Sequence, residues 1–219
     1  MTAEPRQKTF LLARPETRAL EWIARRLPRW VMPDHLTALG VLAAIGIAAA
    51  YALSNRDPAW LWAASGLLVV HWLGDSLDGT LARVRRSERP RYGYYLDHLV
   101  DAIATALIGV GLGLSPYMLL ATGMVIVIAY LVLSINTYLE TKVFGVFSLG
   151  YGRLGPTEAR LALVAINTLL AFGVGPVVAG LSVLDVVVLG VAGAMAVALV
   201  VRALRNLREL ARLEPQAGS

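Results

Sequence analysis

Six long apolar stretches dominate this chain, at about 36–53, 58–75 and on past the membrane edge, 97–113, 117–139, 159–177 and 183–203. Crossing the ~30 Å hydrocarbon core takes roughly 20 apolar residues as a helix, and each stretch approaches that length. The stretches are rich in Ala, Leu, Val and Gly and lack the two-residue alternation of a barrel strand. Lipid offers the backbone no hydrogen bonds, so helices are the remaining solution. The chain is 57% hydrophobic and 16% charged, against roughly 25% charged in a soluble domain. A water-soluble enzyme is thereby nearly excluded, and the expected fold is an all-α integral membrane protein with six transmembrane helices. Cysteine is absent, which removes disulfides, thiolate zinc sites and cysteine nucleophiles.

The cations give a topology. All but Arg56 of the 20 Lys and Arg residues fall on one side of a six-span arrangement. The positive-inside rule then makes both termini cytoplasmic, which requires an even number of spans. Residues 1–30 are charged and lack the apolar run of a signal peptide, so no cleaved leader is expected. Leu20, Ile23, Ala24 and Leu27 recur at helical spacing opposite Arg18, Arg25, Arg26 and Arg29. This pattern predicts an amphipathic helix lying in the membrane interface, among lipid headgroups; a helix packed on the bundle is the alternative. The expected organisation is a juxtamembrane segment over 1–32, a six-helix domain over 33–210 and a polar tail over 211–219. The positive charge is accounted for by topology and membrane lipids, and nucleic acid is not an expected partner.

Four aspartates stand where lipid-embedded helices meet water. Asp75 and Asp78 end the second stretch, and Asp97 and Asp101 begin the third. Carboxylates at membrane depth cost about 2.5–3.5 kcal/mol each on insertion scales, so they point to function. Spacings of three and four place each pair on one helix face, and a helical hairpin would bring all four together. Hard divalent cations, Mg²⁺ or Mn²⁺, would relieve their repulsion. Two such ions suit phosphoryl chemistry on a diphosphate. The bland alternative is a structural ion network with the arginines of the intervening loop. Gly79, Ala82 and Gly93 leave room on these faces for something flat, and Arg83 offers a phosphate a planar, permanently charged fork.

The pattern Asp75-x-x-Asp78-Gly79-x-x-Ala82-Arg83, nine residues, then Gly93-x-x-x-Asp97-x-x-x-Asp101 resembles the signature of the CDP-alcohol phosphotransferases, six-span membrane enzymes. The resemblance implies transfer of a substituted phosphoryl group from a CDP-linked donor to an alcohol hydroxyl, with release of CMP. By resemblance, Asp75, Asp78 and Asp97 hold metals, and Asp101 joins the metal site or acts as the base. Gly79, Ala82, Arg83 and Gly93 would border the cytidine diphosphate. Pro33-Asp34-His35-Leu36-Thr37 is similar to the family's entrance to span one, with Asp34 where the family has Asn. Asp34 and Thr37 would then lie near the nucleotide; read from the residues alone, either could cap the helix. Family members are often dimers, so a homodimer is one expected assembly.

Two features resemble the choline and ethanolamine phosphotransferase branch. His98 follows Asp97, and Gly155-Pro156-Thr157-Glu158 places a Thr-Glu at the start of span five. In that reading His98 and Glu158 act together on the acceptor hydroxyl, and the substrates are a CDP-aminoalcohol and a diacylglycerol-type acceptor. Read without the resemblance, Glu158 serves a helix N-terminus and His98 packs. Against this, Arg outnumbers Lys 18 to 2 and cysteine is absent, which suggests a GC-rich bacterium and so its cytoplasmic membrane, while the basic loop between the aspartate pairs puts the active site on the cytoplasmic face. Bacterial relatives commonly use CDP-diacylglycerol with a small alcohol such as glycerol phosphate, inositol phosphate or serine. Lys142, Arg153 and Arg160 are candidates to meet an anionic acceptor, or they serve topology alone. His71, Asn136, Tyr138 and Asn167 could line an acceptor cavity, though a hydrogen-bonded interior place is the better account of them. The rival classes are an intramembrane prenyltransferase, to which the Gly-x-x-Ala-Arg spacing is foreign, and a divalent cation transporter.

Overall fold

The computed structural model describes residues 13–144, 156–174, 177–178 and 181–214. Over these residues the chain forms α1 (Ala13–Ala24), α2 (Pro33–Leu53), α3 (Trp60–Val84), α4 (Pro90–Gly113), α5 (Leu120–Phe144), α6 (Pro156–Ala171) and α7 (Val183–Leu213). A two-residue antiparallel pair, β1 (Val177–Val178) with β2 (Leu181–Ser182), joins α6 to α7. The fold is otherwise helical.

The helices outrun the apolar stretches at their polar ends. α3 carries the whole Asp75–Arg83 motif on one continuous rod, and α4 starts at Pro90, so Gly93 is helical rather than in a loop. Proline is suited to a first helical turn, where its missing N–H would have no partner. α6 stops at Ala171, short of the expected 177, with Gly173 in the left-handed region at φ 76°. α2, α4, α5 and α7 are long and apolar enough to cross a membrane. α3 is long but diluted by His71, Asp75 and Asp78, and α6 has 16 residues. The helical class is therefore seen directly, while length and composition alone support four spans.

α3 packs on α2, α6 and α1; α4 bridges α2 to α5; α5 packs on α7. Glycine allows a close crossing of α3 on α2. A Cβ on Gly74 of α3 would stand 2.7 Å from Gly40 N and Leu36 O of α2, so only hydrogen fits there. One core gathers Ile47, Tyr51, Leu61, Leu68 and Leu112. Through it runs a buried polar chain: Tyr51 Oη donates to Asn167 Oδ1 (3.1 Å), and Asn167 Nδ2 donates to Ser65 Oγ (3.1 Å). Asn167 is thus an interior tie between α2, α6 and α3, which satisfies its buried amide.

The apolar stripe of α1 is covered by protein. Leu20 and Ala24 are buried with Val31, Leu36, Leu77 and Leu81, while Trp22 is exposed beneath the Arg26 guanidinium, 3.9 Å from its ring centroid. The expected apolar face is present, but it packs on α2 and α3 rather than on lipid. Arg85, just past α3, donates to the carbonyls of Leu27, Pro28 and Val31 and so fixes the α1–α2 connection. The N-cap of α2 is Met32, not Asp34 or Thr37, because Pro33 begins the helix; His35 Nδ1 accepts the Met32 N–H at 3.3 Å.

Candidate active site

A five-residue connection joins α3 to α4, and the turns on either side of it carry the aspartates. Asp75, Asp97 and Asp101 each present a carboxylate oxygen such that all three lie within 4.8 Å of one another. All three are half-buried. Asp78 stands beside this trio, within electrostatic reach of Asp75 and Asp97. Its oxygens already accept from protein: Thr37 Oγ1 donates to Oδ2 at 2.6 Å and Gly79 N to Oδ1 at 2.5 Å. The expected quartet is therefore a trio plus a fourth carboxylate held by α2 and by its own helix.

Such a trio repels itself unless positive charge intervenes. Arg160 of α6 supplies part of it, donating from Nη2 to Asp75 Oδ2 at 2.6 Å. The loop arginines needed by the ion-network alternative turn elsewhere. Arg83 Nη2 donates to Thr80 Oγ1 (3.0 Å), Arg85 serves backbone carbonyls, and Arg89 pairs with Asp34 while lying over the Tyr92 ring. The bond to Asp34 raises Arg89 further above its ordinary pKa. Asp34 is thus paired to the loop, and Thr37 reaches the site through Asp78.

The donor set fits a hard divalent ion. Magnesium takes oxygen ligands at about 2.0–2.1 Å, so ligand oxygens of one ion stand no more than roughly 4 Å apart, and three oxygens within 4.8 Å of one another need only small side-chain shifts to share one. Open space adjoins the cluster. A Cβ on Gly93 would meet nothing within 4 Å, and one on Gly79 only Arg83 Nη1, at 3.5 Å. Gly79, Arg83 and Gly93 are exposed and Ala82 is half-buried.

His98 points its Nδ1 at the Tyr94 carbonyl, 2.7 Å away. A carbonyl only accepts, so Nδ1 carries the proton and Nε2 the lone pair. Tyr94 stacks on the ring at 4.1 Å between centroids, and Tyr138 of α5 meets it edge-on at 4.8 Å. Tyr138 is therefore packed on His98. Glu158 lies in the first turn of α6, two residues before Arg160. His71, one turn deeper than Asp75, is buried. Lys142 is in the last turn of α5; Arg153 and Gly155 lie outside the described residues. Among the described residues, Arg160 is the member of the suggested cationic set that meets the carboxylates.

Glu16 and Glu140 each centre a polar cluster that the sequence reading did not single out. Glu16 of α1 accepts from Trp72 Nε1 of α3 (3.1 Å) and from Thr157 Oγ1 of α6 (3.0 Å). Glu140 of α5 accepts from Arg202 Nε (3.0 Å) and Asn206 Nδ2 (2.6 Å) of α7, and from Asn136 Nδ2 (2.7 Å). Asn136 thus belongs to this second centre. A carboxylate four residues from Asn136 at the end of an apolar stretch was the available signal for Glu140; Glu16 had none.

A model of the CDP-alcohol phosphatidyltransferase family matches residues 30–201. The chain belongs to this family. It is similar to cholinephosphotransferase 1 of Danio rerio, 26% identical over 163 residues that cover 69% of this chain and 41% of that protein. A CDP-diacylglycerol–serine O-phosphatidyltransferase of Encephalitozoon cuniculi is 32% identical over 140 residues, covering 59% of this chain and 35% of that protein. A CDP-diacylglycerol–glycerol-3-phosphate 3-phosphatidyltransferase of Cereibacter sphaeroides is 30% identical over 118 residues, 52% of each chain. The chain spans about two fifths of the cholinephosphotransferases it matches. Membership of this family sets aside the prenyltransferase and cation-transporter alternatives.

Proposed function

We propose that the chain is a membrane transferase that moves a substituted phosphoryl group from a CDP-linked donor to an alcohol hydroxyl, releasing CMP. The observation that carries this reading is the convergence of Asp75, Asp97 and Asp101 beside the open faces of Gly79 and Gly93. Asp75, Asp97 and Asp101, with Asp78 alongside, would hold Mg²⁺ or Mn²⁺, two ions in all. When bound, such ions neutralise the diphosphate and stabilise the departing oxygen. Gly79, Ala82, Arg83 and Gly93 border the cytidine diphosphate, and Thr37 orients Asp78 from α2. The acceptor oxygen attacks the phosphorus that bears the transferred alcohol. The bond from that phosphorus to the CMP oxygen breaks, and CMP leaves with the electron pair. The acceptor proton passes to a base. His98 suits this role, since its bond to Tyr94 leaves Nε2 as the acceptor, with Glu158 of α6 as its partner. Asp101 is the other candidate base.

The donor we favour is a CDP-aminoalcohol, with a diacylglycerol-type acceptor. Asp97-His98 and Thr157-Glu158 support it, as does the broader coverage of this chain by cholinephosphotransferases than by the two CDP-diacylglycerol enzymes. Arg160 at the carboxylates favours the second reading, a CDP-diacylglycerol donor with an anionic small alcohol. We also propose that all six helices α2–α7 span the membrane, with both termini, and the site, in the cytoplasm. The deciding assay is CMP release by purified protein from CDP-choline, CDP-ethanolamine and CDP-diacylglycerol. Release from an aminoalcohol donor, lost by at least about a hundredfold in His98→Asn, supports the first reading. Release from CDP-diacylglycerol alone, indifferent to His98→Asn, overturns it.

A further inference from the structure

α6 brings Arg160 to Asp75 and carries Glu158 two residues earlier, in its first turn, yet it enters after residues 145–155, which lie outside the described set. Its described polar ties fall into two groups. Toward its C-terminal half, Asn167 joins it to Tyr51 and Ser65 in the interior. At its first turns, Arg160 reaches Asp75 and Thr157 reaches Glu16. The first of these end ties involves a carboxylate oxygen that an incoming cation would also seek. The second is independent of the aspartates. Glu16 Oε1 accepts at once from Trp72 of α3, one turn before Ser76 and three residues before Asp75, and from Thr157, the neighbour of Glu158. α1 is itself seated firmly, through buried Leu20 and Ala24.

We propose that Glu16 is a positioning residue: it clamps the N-terminal turn of α6 to α3, so that Glu158 and Arg160 are held over the carboxylate cluster when Asp75 turns to its ligand. The clamp needs a double hydrogen-bond acceptor rather than a charge, and an amide oxygen with two lone pairs serves equally. The catalytic part of this inference rests on the transferase reading above; the clamp itself does not.

The test uses the full chain in nanodiscs with Glu16→Ala, Glu16→Gln and Thr157→Val. Hydrogen exchange at the amides of 157–160 should quicken at least tenfold in Glu16→Ala and Thr157→Val and stay within twofold of wild type in Glu16→Gln. In CMP release, the first two variants should lose at least tenfold in kcat with KM for the donor within twofold, and Glu16→Gln should keep more than half of kcat. Unchanged exchange in Glu16→Ala would overturn the clamp, as would Glu16→Gln behaving like Glu16→Ala. Faster exchange spread over all helices, with kcat and KM changing together, would reduce Glu16 to general stability and also overturn it. If wild type releases no CMP from any CDP donor, the transferase reading fails while the exchange result still decides the clamp.

Discussion

Thr37 donates a hydrogen bond from its hydroxyl to Asp78 across the α2–α3 contact, at 2.6 Å. A hydrogen bond to a charged group contributes about 1.5–3 kcal/mol, and Thr→Val removes the donor while keeping the shape. Thr37→Val should therefore lower stability by up to about that amount, read as a lower thermal midpoint, and should also lower CMP release because Asp78 loses the contact that orients it. At this scale the sequence was informative wherever spacing along one helix carried the message. Asp75, Asp78, Asp97 and Asp101 declare themselves by intervals of three and four. It was uninformative wherever a partner comes from far along the chain. Arg160 meets Asp75 across 85 positions and Glu16 meets Thr157 across 141; no local pattern encodes either pairing. The protein-held state of Asp78 was hidden for the same reason.

The α3–α4 hairpin ends in a turn whose geometry is explicit. Arg86 N donates to Arg83 O at 3.1 Å and Ser87 N to Ala82 O at 2.9 Å, the two bonds of a Schellman cap. The residue this cap places in the left-handed region is Arg86, at φ 53°, where a side chain costs about 1–2 kcal/mol relative to glycine. Arg86→Gly should raise stability by about 1 kcal/mol, read as a higher thermal midpoint, with CMP release unchanged since Arg86 is exposed and outside the motif. Element existence was legible here and element ends were not. Hydropathy locates the apolar part of a helix, and α3, α4 and α7 continue beyond it through polar residues. Amphipathicity likewise foretold α1 as a helix but not what covers its stripe, because lipid and a protein groove accept the same side chains.

At the scale of the molecule, polar ties inside the apolar bundle set how the helices sit. Glu140 with Arg202 joins α5 to α7, largely out of water. Removing one partner of such a pair strands a buried charge and costs about 3–5 kcal/mol, whereas replacing both is often nearly neutral. Arg202→Met should therefore lower the thermal midpoint strongly, and Glu140→Met combined with Arg202→Met should restore most of it. The central claim concerns the other end of the design: α3 and α4 gather carboxylates so that a divalent ion and a CDP-linked diphosphate meet there. The most direct measurement is CMP release by the purified chain, titrated with Mg²⁺ or Mn²⁺ after chelation, in wild type and Asp97→Asn. The account expects release that appears only with the cation and is absent in Asp97→Asn although the variant remains folded. Release that persists under chelation, or that Asp97→Asn leaves intact, would contradict it.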